Sequence, residues 1–132
     1  MRIAVYCSAR ENLPKEMHKG AHLLGRWIGR NDHTLVYGGL SYGLMKIVAE
    51  AAGQTGANVI GVVPESRAEK NCSANTETLM CRTLNERKQI LEDNADVFVA
   101  LDGGIGTIGE VFSALATMVF FNTSKPILWK DL

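Results

Sequence analysis

The residues best able to do chemistry fall in four short stretches. In the first, LDGGIGTIGE at 101–110, Gly103, Gly104, Gly106 and Gly109 crowd a single turn, with Thr107 among them and Glu110 just beyond. Glycines let a backbone take positive φ and approach a ligand closely. Where such a turn opens a helix, its N–H groups can cradle an anion, and Thr107 adds a hydroxyl. A tight strand–helix connection with no ligand needs the same glycines, so both readings stand. The stretch is neither G-x-G-x-x-G at a first strand nor a Walker loop with its lysine, so the usual dinucleotide and triphosphate motifs do not fit. Glu110 lies in the first turn of the following helix, where the macrodipole favours a carboxylate and where it can also face whatever the turn holds.

The second stretch, GGLSYGLM at 38–45, repeats the arrangement with Gly38, Gly39 and Gly43. Two such turns in one small domain suggest a pocket for a phosphorylated or ribosyl ligand. In the third, CSAR at 7–10, Arg10 is suited to a phosphate or to a surface carboxylate, while Cys7 reads as an apolar strand residue with nothing beside it to activate a thiolate. The fourth, NERK at 85–88, puts Arg87 and Lys88 side by side on a helix. They form either a solvated face or a pair of cations for a phosphate or a leaving group. His18 and His22 stand at i, i+4 without a third ligand, so no metal site is expected, and Trp27 and Trp129 read as packing residues.

Alternating strands and helices must position these stretches. RIAVYC (2–7), HTLVYGG (33–39), NVIGVVP (58–64), TLMCR (78–82), ADVFVAL (95–101) and KPILWK (125–130) have the apolar runs of buried strands. Helical spacing falls at 14–31, opened by Pro14, and at 43–56, 83–94 and 109–122, while 65–77 is a polar loop. This alternation predicts a Rossmann-like, doubly wound α/β domain over 1–132, a parallel sheet with helices on both faces. Ligands of such sheets bind at the carboxyl ends of strands, and every stretch named above falls at one. The last strand has no covering helix after it, which leaves a C-terminally truncated chain or a cover supplied by a partner subunit.

At 46% apolar residues, the 132-residue chain has enough for one real core. Fourteen basic residues balance fourteen acidic ones, so no net field points to nucleic acid or a membrane surface. Three cysteines without C-x-x-C spacing argue against a disulfide framework and for reduced thiols in the cytoplasm. Neither a signal peptide nor an apolar run of membrane-spanning length is expected.

With the four stretches in place, the chain resembles the Lonely Guy (LOG) family of cytokinin riboside 5'-monophosphate phosphoribohydrolases, long labelled possible lysine decarboxylases. DGGIGTIGE is similar to the family's PGGxGTxxE, with Asp102 in place of proline and Gly109 in place of a common glutamate. LNERK resembles MHxRK in Arg87 and Lys88, with Leu84 and Asn85 replacing Met and His. YGGLSYGLM looks like the GGxxGLM turn, and YCSAR the first-strand element, with Ala9 where a serine is usual.

The resemblance implies cleavage of the N-glycosidic bond of a nucleoside 5'-monophosphate to free base and ribose 5-phosphate. Arg87 and Glu110 would be the catalytic pair. Gly103, Gly104, Gly106 and Thr107 would hold the 5'-phosphate, and Gly38, Gly39 and Gly43 would line the same pocket beside Arg10 and Lys88. It implies no metal or organic cofactor, and a homodimer for which ALATMVFF (114–121) is a candidate interface. The rival expectation is a non-catalytic nucleotide-binding or molybdenum-cofactor carrier protein of the same fold. The decarboxylase label implies pyridoxal phosphate on a lysine, and no lysine here has the context for it.

Overall fold

A computed structural model describes residues 1–8, 10–101 and 125–129. Six strands, β1 (Arg2–Tyr6), β2 (Thr34–Tyr37), β3 (Asn58–Pro64), β4 (Glu77–Cys81), β5 (Val97–Ala100) and β6 (Ile127–Trp129), form one parallel sheet in the order β4-β3-β2-β1-β5-β6. Three helices connect them among the described residues: α1 (Lys15–Arg30), α2 (Gly43–Gln54) and α3 (Leu84–Asp93).

The central strands β1, β2 and β3 are apolar over most of their length because both faces of the sheet are buried there. Successive side chains alternate between two cores. Ile3, Val5 and Cys7 of the first strand region join Leu35, Tyr37, Val59 and Val63 under α1 and α2. Ala4 and Tyr6 join Val36, Ile60, Val62, Phe98 and Ala100 on the opposite face, where Leu91 of α3 is fully buried. Helices therefore cover both faces, as the alternation predicts. α1 turns Ala21, Gly25, Ile28 and Gly29 inward, a spacing of one helical face.

Several boundaries differ from expectation. Pro14 caps α1 from outside instead of occupying its first turn. The polar loop at 65–77 contains a 3-10 helix at Glu65–Lys70 and ends where β4 begins, at Glu77. Trp27 is half exposed instead of packed, its ring 5.1 Å from that of His33. The turn from Asp102 and the expected helix at 109–122 lie outside the described residues. Among the described residues no helix is long and apolar enough to cross a membrane.

The winding direction reverses at β1. The chain moves from β1 through β2 and β3 to β4, then returns through α3 to β5 on the other side of β1. A reversal of this kind leaves a crevice beyond the carboxyl ends of the two central strands. Tyr6 pairs with Ala100 there, and the Leu101 N–H donates to the Tyr6 carbonyl at 3.0 Å. Leu101, the residue that precedes the glycine-rich stretch, thus lies beside the end of β1.

Candidate functional site

Three segments converge on the crevice from the described part of the chain. The first leaves β1 through Cys7 and Ser8. The Ser8 carbonyl accepts from the Leu44 N–H at 3.1 Å, and the Ser8 hydroxyl accepts from the Arg10 N–H at 2.9 Å. Arg10 itself is exposed.

The second segment is the Gly38–Gly39 turn at the end of β2. Gly39 sits at φ +78°, a left-handed conformation open to glycine, and a Cβ there would lie 2.5 Å from Val63 Cγ2. Leu40 then bridges to Asn71. Tyr42, extended at φ −134°, precedes α2, and the Lys70 ammonium lies 5.9 Å from its ring centroid. At the start of α2, Gly43 has φ +47°, and its N–H donates to Glu11 Oε1 at 3.3 Å. The N–H groups of Gly43 and Leu44 therefore already meet a carboxylate and a carbonyl.

The third segment is the start of α3. Thr83 caps it, its hydroxyl accepting from the Glu86 N–H at 3.0 Å, while the Glu86 carboxylate accepts from the Arg82 N–H at 3.3 Å. This fixes the first turn and so the root of Arg87. The guanidinium reaches under the ends of β2 and β3. Its Nε donates to the Val62 carbonyl at 3.0 Å and its Nη2 to the Gly38 carbonyl. Gly38 makes room for it, because a Cβ there would lie 2.4 Å from Nη2. Lys88 follows on the same helix, half-buried. Cys81, at the end of β4, has its thiol pushed up by burial, and the nearby Arg87 opposes the shift only in part, so this sulfur is no ready nucleophile.

The structure thus brings Arg87 into direct contact with Gly38, next to Gly39, and places Gly43 at the start of α2 and Arg10 on the loop after β1. Gly103, Gly104, Gly106, Thr107 and Glu110 lie outside the described residues. Two residues that no motif flagged belong to this region. One is Glu11. The other is Asn75, whose Nδ2 donates to the Gly39 carbonyl at 3.1 Å and to Asn71 Oδ1 at 2.6 Å, and whose Oδ1 accepts from the Tyr37 hydroxyl. Asn75 sits in a polar loop whose composition carries no signal of this contact.

The profile of the SLOG cluster4 family matches residues 1–126. The chain belongs to this family. As an SLOG cluster4 member it is similar to proteins named cytokinin riboside 5'-monophosphate phosphoribohydrolase. One from Mycobacterium tuberculosis is 34% identical over 98% of this chain and 70% of its own length. One from Rhodococcoides fascians is 36% identical over 86% of this chain and 59% of its own length. A rice protein named as a probable enzyme of this kind is 34% identical over 95% of this chain, which spans 55% of it. The SLOG cluster4 chain is thus little more than half as long as several curated relatives, and its kinship with the LOG family holds. In structure it is similar to the molybdenum cofactor binding protein of Rippkaea orientalis, with a TM-score of 0.86 and 25% identity over 99% of this chain and 76% of that one. The molybdenum cofactor carrier protein of Chlamydomonas reinhardtii gives a TM-score of 0.85 and 25% identity over 99% and 77%.

Proposed function

We propose that this chain hydrolyses the N-glycosidic bond of a nucleoside 5'-monophosphate, releasing the free base and ribose 5-phosphate. The observation that carries the reading is the pairing of Leu101 with Tyr6 at the reversal of strand order. It brings Leu101, the residue before the DGGIGT stretch, to the end of β1, which pairs on its other side with β2, the strand that ends in the Arg87-braced turn of Gly38 and Gly39. The names of the curated relatives support the same reaction.

The C1'–N bond breaks as water oxygen attacks C1', and the departing base takes the bonding electron pair and a proton. Positive charge builds on the ribose in the transition state, as in other glycoside cleavages. Glu110 provides the opposing carboxylate and accepts the water proton. Gly103, Gly104, Gly106 and Thr107 hold the 5'-phosphate through N–H groups and a hydroxyl, with Arg10 and Lys88 as neighbouring cations. Arg87 is the partner of Glu110 in the activity. Displacement by water at C1' with these groups calls for no cofactor. We place the protein in the cytoplasm as a homodimer.

A second reading, a carrier of molybdenum cofactor or of a nucleotide, draws on the likeness to the two cofactor proteins. One experiment separates the two. Base release is followed from a panel of nucleoside monophosphates that includes AMP and an N6-prenylated analogue, with Glu110→Gln alongside. Release by the parent and not by the variant is expected. Binding without release, unchanged in the variant, would leave the carrier reading in its place.

A further inference from the structure

Both carbonyls of the Gly38–Gly39 turn are drawn toward the β3 side of the sheet. The Gly38 carbonyl meets Arg87, whose guanidinium also holds Val62 of β3 at 3.0 Å. The Gly39 carbonyl accepts from the Cys72 N–H at 2.9 Å and from Asn75 Nδ2 at 3.1 Å, both from the segment that follows β3. Every described peptide bond is trans, so each C=O points opposite to the N–H that follows it. The N–H groups of Gly39 and Leu40 are therefore turned away from β3. They face the other flank of β2, where β1 ends at the crevice. Both residues are buried, and neither N–H meets an acceptor among the described residues. A buried N–H in that position favours an incoming oxygen acceptor.

Asn75 is held for this task from several sides. Tyr37 donates to its Oδ1, Asn71 accepts from its Nδ2, and the missing side chain of Gly61 leaves its space, since a Cβ there would lie 2.4 Å from Asn75 Nδ2. We infer that Asn75 and Arg87 are positioning residues with one shared role: together they aim the N–H groups of Gly39 and Leu40 at a phosphoryl oxygen of the bound nucleotide. The inference rests on the phosphoribohydrolase reading for the identity of the ligand. In it the carbonyl contacts of Arg87 act on binding through the turn, apart from its part beside Glu110 in the reaction.

The test is a double-mutant cycle on the affinity for ribose 5-phosphate, measured by calorimetry with Asn75→Ala, Arg87→Lys and the two combined. Lysine keeps the charge of Arg87 but cannot span two carbonyls. Each single change is expected to weaken binding about tenfold, the worth of one hydrogen bond to a charged group. The double variant should bind no worse than the weaker single one, because both act on the same turn. Leu91→Ala, in the core on the α3 face, is the control for lost stability alone and should keep the parent affinity despite a lower melting temperature.

Parent-like binding by Asn75→Ala would overturn the inference. So would losses that multiply in the double variant, since Arg87 would then contact the ligand itself. Failure of the parent to bind ribose 5-phosphate would overturn it as well. If Asn75→Ala does not fold, Gly38→Ala takes its place, because the new Cβ would lie 2.4 Å from Arg87 Nη2. Loss of affinity shared with Arg87→Lys would uphold the inference, and parent-like affinity would overturn it. Binding that behaves as expected in a parent that releases no base would sink the proposed reaction and leave this inference standing.

Discussion

The N–H of Gly43 donates to the carboxylate of Glu11, 3.3 Å away, so an acidic side chain stands at the positive end of α2. The residue after it, Asn12, has φ +61°, which holds the loop in a turn that delivers this carboxylate. An anion approaching the same helix end meets a like charge already in place.

Glu11→Gln should therefore bind ribose 5-phosphate a few-fold more tightly at low salt, with the gain shrinking as ionic strength rises. The same change should cost about 0.5–1 kcal/mol of stability, because the helix end loses its charged acceptor. Calorimetry at two salt concentrations and a urea melt check both parts. Equal affinity in parent and variant at low salt would show that Glu11 lies outside the field felt by the ligand.

Gly39→Ala should destabilise the fold by about 1–3 kcal/mol, through left-handed strain and overpacking. The added methyl would lie 2.5 Å from Val63 Cγ2 and 3.0 Å from Gly61 Cα, and the Gly61 backbone cannot swing aside. A shifted urea midpoint with an unchanged slope is the expected signature.

Alkaline pH should unfold the protein through Tyr37. Burial is the main cause that pushes its hydroxyl far above the ordinary value of 10.0, with Cys72 and Cys7 adding to the shift and the Asn75 contact opposing it. In the unfolded chain Tyr37 loses its proton near pH 10, while the folded chain keeps it, so the native state holds more protons and stability falls as pH rises beyond about 10. Tyr37→Phe should flatten that part of the stability–pH curve. At neutral pH it should cost about 1–3 kcal/mol, because Asn75 Oδ1 loses its donor. Urea melts from pH 7 to 11 on both proteins measure the two effects together.

Asp102 occupies the position of the family's proline and brings a negative charge next to the glycine stretch. Asp102→Asn should raise the affinity for ribose 5-phosphate several-fold at low salt, an effect that screening by added salt removes. A salt titration of parent and variant reads this directly.

The sheet was readable because its strands are apolar on both faces. IAVY, TLVY and VFVA admit no other burial, and the helices between them force parallel pairing. The motif glycines Gly38 and Gly39 could be found for the same reason: few turns other than a close approach need two of them together. β4 is an outer strand, with Glu77 and Met80 exposed, so its start blurs into a polar loop. Glu11 and Asn75 could not be found at all. Each earns its place by a contact with a backbone group 32 or 36 positions away, and the local sequence carries no trace of such a partner. Trp27 misled because a large aromatic on an amphipathic helix usually faces inward.

The parallel pairing of β1 with β5 also has a kinetic consequence. Ile3 meets Leu35 on one side and Val97 on the other. The first partner comes a single helix later in the chain, whereas the second arrives only after β2, β3, β4 and α3 have been made. Contacts between distant parts of a chain are slow to form, because a long loop must close before they give anything back. The strands that flank the crevice are thus the last of the central ones to meet, on the ribosome as in refolding. A destabilising change in β5 should leave the β1–β4 half assembled and the crevice unformed, so ligand binding would be the final property gained during folding and the first one lost.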